Sequence, residues 1–165
     1  EGMIHSMNEK TEKLVAMLEK RGKKLTTAES CTGGMIASEI TSVPGASHVF
    51  EGGFITYSER LKEKMLGVSA GLISRVGVVS EDVARDMADG ALRRSDADIA
   101  VAVTGFAGPT GGTKEAPVGT VWFAVAAKEG AFARSFRFDG NREAVREQAV
   151  EKAIELLTEG TELYL

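Results

Sequence analysis

The chain has 165 residues, 43% hydrophobic and 27% charged, which is ordinary for one globular domain, and at this length it buries roughly 70% of its unfolded surface without help from a disulfide or a metal. Its net charge of −4, with Lys13, Glu19 and Lys20 or Arg85 and Asp86 interleaved, lacks the basic stripe of a nucleic-acid binder. The longest apolar run, Val121 to Ala127, falls far short of the about 20 residues a membrane helix needs, and the lone Cys31 has no internal bridging partner, as suits a reducing, cytoplasmic setting.

No basic stretch followed by an apolar one opens the chain, so no signal peptide is expected. Residues 1–10 read as a tail and 11–165 as a single domain. Thr11 to Lys20 reads as a helix with Leu14, Val15 and Leu18 on one face, stopped by Gly22. Lys24 to Ala28 is a short strand, Glu29 to Gly34 the turn after it. Met35, Ile36, Ile40 and Val43 then recur at helical spacing until Pro44-Gly45. A second strand is expected over 49–57, weakened by Gly52-Gly53. A short helix follows from Ser58 to Leu66, and another piece over 69–76. Ser80 is a credible cap for a helix with Val83, Ala84, Met87, Ala88 and Ala91 on its buried face. Asp98 to Thr104 is almost unbroken apolar sequence, the signature of a central strand covered on both faces. After a glycine-rich loop, Thr120 to Ala127 and Phe132 to Phe138 read as a hairpin through Glu129-Gly130. Asn141 caps a last helix with Val145, Ala149, Ala153, Leu156 and Leu157 inward. The order implies an α/β fold: a three-layer α/β/α sandwich with a mixed, mostly parallel sheet of about five strands.

Two segments carry candidate chemistry. Glu29-Ser30-Cys31-Thr32-Gly33-Gly34 follows a strand and opens a helix, so helix N–H groups face whatever sits above the turn. Ser30 there is a candidate nucleophile, or simply a cap. Cys31 is a rival nucleophile, or a small buried hydrophobe. Neither His5 nor His48 has an obvious acidic partner, which leaves a lysine as the base for Ser30. Lys62 stands out because helical steps place it between Met65 and Leu66, inside the apolar stripe. Desolvation there lowers its pKa toward neutrality, whereas snorkelling would keep its ammonium in water. Tyr57 ends the preceding strand, either as a proton relay or as a half-buried strand-end tyrosine. The second segment, Thr104-Gly105-Phe106-Ala107-Gly108-Pro109-Thr110-Gly111-Gly112, leaves the C-terminal end of the central strand, where ligands collect in open α/β sheets. It reads as an anion-binding nest or as a surface loop; it is neither a P-loop nor a dinucleotide fingerprint. Arg142, beside a helix N-terminus, opposes the helix dipole and so calls for an anion such as a phosphate, or for Glu143 or Asp139. No metal-ligand spacing is present.

Taken in order, Ala28 to Gly34, Thr56-Tyr57-Ser58 followed by Lys62, Gly67-Val68, Gly77-Val78-Val79-Ser80, Gly105 to Gly112 and Pro117 to Trp122 resemble the CinA C-terminal domain family from about Glu12 to Leu157. Its members include nicotinamide mononucleotide amidohydrolases. The resemblance implies hydrolysis of nicotinamide mononucleotide to nicotinate mononucleotide and ammonia, without cofactor or metal, in a homodimer. It implies catalysis by Ser30, Lys62 and Tyr57, with substrate contacts from Glu29, Cys31, Thr32, Gly33, Gly34, Thr104, Gly105, Gly108 and Arg142. The chain departs from the family pattern at Glu59-Arg60-Leu61, where Asn-Glu-Ala is usual, and at Thr104, Phe106 and Thr110. The alternative is a non-catalytic nucleotide-binding or partner-binding module, of the kind linked by name to competence or DNA damage.

Overall fold

The computed structural model describes residues 2–165, with side chains from Met7 onward. Helix α1 spans Gly2–Arg21, so residues 2–10 are helical rather than the expected tail; the side chain of His5 lies outside the described residues. Strand β1 (Leu25–Glu29) is buried at every position. A turn over 30–34 leads into helix α2 (Met35–Thr41), and a 3-10 turn follows at Ala46–His48.

The strand expected over 49–57 is much shorter. Strand β2 is Phe54–Ile55, preceded by a single bridge between Leu25 and Phe50. Between them the chain is held by a side chain instead of a ladder, Thr26 Oγ1 donating to Gly52 O at 2.8 Å. Gly53 is pressed onto Thr27, whose hydroxyl a Cβ there would overlap.

Helices α3 (Glu59–Leu66), α4 (Ala70–Val76) and α5 (Glu81–Arg93) come next. Each begins with a serine (Ser58, Ser69, Ser80) whose Oγ accepts an N–H of the first turn. Strand β3 (Ile99–Gly105) and the hairpin β4 (Thr120–Ala127) and β5 (Gly130–Arg137) complete the sheet. Helix α6 (Arg142–Tyr164) closes the chain, with Asn141 Oδ1 accepting from Ala144 N.

The sheet order is β2-β1-β3-β4-β5. β1 is parallel to both β2 and β3, β4 is antiparallel to both β3 and β5, so only β4 runs against the others. Alternation along β3 divides the core. Ile99, Val101 and Val103 join Leu14, Leu18, Val145 and Leu157 under α1 and α6. Ala100 and Ala102, with Ala124 and Ala126 of β4, meet Val83, Met87 and Ala91 of α5 on the other face. Small residues on that face let α5 lie close to the sheet, and Gly90 in turn lets the Leu66 carbonyl at the end of α3 lie against α5. Helices thus cover both faces, as the alternating sequence pattern implied. Among the described residues no helix is long and apolar enough to cross a membrane.

Candidate active site

β1, β2 and β3 run parallel and end together, so whatever follows each of them meets at one edge of the sheet. Ser30 follows β1 and is locked by its N–H to Val103 O at 3.2 Å; Thr56 follows β2 and its N–H reaches Glu29 O at 2.8 Å. Tyr57 and Ser58 then turn the chain into α3, whose first full turn carries Lys62 back under the strand ends.

Lys62 is 1% exposed. Its Nζ lies 2.8 Å from Ser30 Oγ, 2.7 Å from Thr56 O and 3.2 Å from Tyr57 O. The amine does not snorkel; it is buried against the serine. Burial pushes its pKa down from 10.5 to about 8, while the nearby Glu59 carboxylate pulls it up. Nζ donates to Ser30 Oγ and to the two carbonyls, which uses all three N–H bonds of the ammonium form; on losing a proton the amine can keep the two carbonyl bonds and turn its lone pair toward the Ser30 hydroxyl.

Cys31 is buried in the larger core, and burial pushes its thiol up to about 11, so it stays protonated at neutral pH and is no thiolate nucleophile. Its carbonyl accepts from Arg146 Nε at 2.9 Å. The backbone N–H groups of Cys31 and Thr32 donate to no backbone acceptor among the described residues.

The structure separates the remaining expectations. Around a cleft of about 420 Å³ it gathers Ser30, Cys31, Tyr57, Lys62, Thr104, Gly105, Gly108 and Arg142. Glu29, Thr32, Gly33 and Gly34 do not line it. The Glu29 carboxylate, fully buried, accepts from Thr32 Oγ1 (2.6 Å), Ile36 N (2.9 Å) and Ala37 N (3.0 Å), and so caps α2. The N-terminal N–H groups of that helix, expected to face a ligand, are therefore occupied from within the protein. Gly33 (φ 57°) and Gly34 (φ 103°) serve the left-handed turn itself. Ser30 accordingly precedes α2 by a whole turn instead of starting it.

Tyr57 was expected as a proton relay or as a half-buried strand-end tyrosine. Its hydroxyl, on a side chain 60% exposed, accepts from Arg142 Nη2 at 3.0 Å and has no bond to Ser30 or Lys62; only its carbonyl meets the amine. Arg142 makes no ion pair with Glu143 or Asp139. Its other amino group donates to Gly108 O at 2.9 Å, which fixes the guanidinium beside the glycine loop. In that loop the N–H groups of Ala107 and Gly108 have no backbone acceptor among the described residues. Thr104 Oγ1 donates to Val78 O at 2.9 Å and ties the loop after α4 to the end of β3.

Sequence reasoning missed Arg146 and Glu59. Arg146 grips the carbonyls of Cys31 and Thr32 from α6, a long-range contact with no local signal. Glu59 lines the cleft; its place one turn ahead of Lys62 was a signal that went unused. A larger hollow of about 480 Å³ lies at the opposite end of β1; there Lys24 pairs with Glu51, Arg93 with Asp89, and Arg94 donates to Leu66 O. Among the described residues no group of histidine, cysteine and carboxylate side chains is arranged to hold a metal.

The CinA C-terminal domain model matches residues 7–161. A CinA-like protein of Akkermansia muciniphila is 58% identical over 117 residues, covering 71% of this chain and 28% of its own length. The chain spans about a third of such longer relatives. The nicotinamide-nucleotide amidohydrolase PncC of Escherichia coli K12 is 48% identical over 148 residues, 89% of this chain and 90% of its own. The solved structure of a CinA superfamily protein from Klebsiella pneumoniae superposes with a TM-score of 0.91 at 37% identity, covering 96% of this chain and 99% of that one. With the family model matched across nearly the whole domain and the same three-layer architecture in its solved relative, this chain belongs to the CinA C-terminal domain family.

Proposed function

We propose that the protein hydrolyses the carboxamide of nicotinamide mononucleotide to nicotinate mononucleotide and ammonia, with Ser30 as nucleophile and Lys62 as its base. The observation that carries this is the buried amine of Lys62 at 2.8 Å from Ser30 Oγ. A binding module has no use for a desolvated amine against a serine hydroxyl, whereas a serine nucleophile needs a base in that position. The similarity to an amidohydrolase along nine-tenths of both chains supports the same reading.

Neutral Lys62 takes the Ser30 proton as Oγ bonds to the carboxamide carbon. The carbonyl electron pair moves to oxygen, and the oxyanion accepts the N–H of Cys31, next to the nucleophile. The intermediate collapses, the C–N bond breaks, and the Lys62 ammonium passes its proton to the departing nitrogen, which leaves as ammonia. Water then attacks the acyl-serine, giving its proton to Lys62. The ester bond breaks, and Ser30 recovers the proton as nicotinate mononucleotide leaves. Arg142 and the N–H groups of Ala107 and Gly108 receive the phosphate. Glu29, Thr32, Gly33 and Gly34 hold the nucleophile's turn and touch no substrate, and Tyr57 orients Arg142. We further infer that the chain works in the cytoplasm as a homodimer.

Ammonia release from nicotinamide mononucleotide tests this. Ser30→Ala is expected to lose at least about 1,000-fold in kcat while still binding the mononucleotide in a calorimeter. A Ser30→Ala protein with the parental rate contradicts it.

A further inference from the structure

The cleft has an unused charge. Its charged lining groups are Lys62, Arg142 and Glu59. Lys62 is held by Ser30 and two carbonyls, and Arg142 by Tyr57 and Gly108. Glu59, the first residue of α3, makes no hydrogen bond or ion pair among the described residues. It is not needed as the cap either, because Ser58 Oγ already accepts from Leu61 N at 3.1 Å. Its carboxylate is nonetheless close enough to the reacting end to act electrostatically on Lys62. The cleft is therefore dipolar. A free carboxylate sits on the helix that brings Lys62 to the nucleophile, and a tethered guanidinium sits beside the loop N–H groups.

Resting on the function proposed above, we propose that Glu59 is the counter-ion for a cationic ring. It selects N-substituted pyridinium carboxamides over neutral-ring carboxamides, and it weakens the hold on the product. The chemistry of the reaction fits this. The substrate ring carries a positive charge, whereas hydrolysis adds a carboxylate that cancels it. A fixed carboxylate attracts the first and is indifferent or repulsive to the second.

The probe is a pair of mononucleotides, nicotinamide mononucleotide and its benzamide C-nucleoside analogue, which has the same carboxamide on an uncharged ring. In Glu59→Gln the ratio of their kcat/KM values is expected to fall about fivefold, the scale of one partly screened charge. The rate on the neutral amide should change much less than that on nicotinamide mononucleotide, and inhibition by nicotinate mononucleotide should tighten. Glu59→Asp should retain most of the preference. Removing a charge that raises the Lys62 pKa should also move the rise of the pH profile to lower pH, the other groups in the cleft (Cys31, Tyr57, Arg142) being unchanged. An unchanged ratio overturns the proposal, and so does an equal loss on both substrates, the mark of a merely structural role. If the protein releases ammonia from neither compound, the amidohydrolase reading fails by itself. The same ratio is then read as Kd by calorimetry in Ser30→Ala with and without Glu59→Gln, and a ratio that Glu59→Gln leaves unmoved again overturns it.

Discussion

Lys62 is among the largest side chains that the described residues withdraw fully from solvent, and it carries a charge in its ordinary state. Burial moves its pKa to about 8, from 10.5. This links stability to pH with a definite sign. Between those values the unfolded chain still binds a proton that the folded amine has released, so stability rises with pH there; below about 8 both states are protonated and the folded one bears the cost. Relative to Lys62→Met, the unfolding free energy of the parent should rise by about 3 kcal/mol between pH 7.5 and 10.5. Urea titrations at the two pH values measure this, and a constant gap would mean that the amine is not desolvated. The position of Lys62 in an apolar stripe was legible from helical periodicity. The partners of Glu29 and Tyr57 were not. Glu29 reaches N–H groups seven and eight residues ahead, and the Tyr57 hydroxyl meets Arg142, 85 residues away. Such contacts depend on how the chain folds back, which no local pattern encodes.

At the scale of elements, the site depends on where α3 is docked. The Leu66 carbonyl rests on Gly90 of α5, and Arg94 Nη1 donates to it at 3.0 Å. A Cβ at position 90 would overlap that carbonyl. Gly90→Ala therefore has to push α3 away from α5, at a cost of about 2 kcal/mol, or about 6 °C in Tm for a chain of this size. Because α3 carries Lys62, activity should fall more than tenfold at temperatures where the variant is still folded. Thermal unfolding and ammonia release measure the two effects, and a variant that loses stability alone would show that Lys62 is placed by its own strand-end contacts. The caps Ser80 and Asn141 and the almost unbroken apolar run of β3 were legible because each signal is local. The reduced β2 was only half legible: Gly52-Gly53 warned of a weak strand, but the seat of Gly53 on Thr27 belongs to the tertiary structure.

At the scale of the whole molecule, three layers meet at one edge of the sheet. The middle layer supplies Ser30, one helical layer supplies Lys62 and Glu59, and the other supplies Arg142 and Arg146, which holds the turn behind Ser30. The alternation of elements made this architecture legible, and with it the edge at which the parallel strands end, where ligands collect in sheets of this kind. The polarity of the cleft was not legible, since its charges come from separate elements. The central claim is that a neutral Lys62 is the base for Ser30, and the pH dependence of kcat/KM for ammonia release from nicotinamide mononucleotide tests it most directly. With a base whose pKa is about 8, kcat/KM should rise about tenfold per pH unit between pH 6 and 7 and level off above about pH 8.5. A profile that is flat from pH 6 to 9, or one that falls as pH rises, would contradict it.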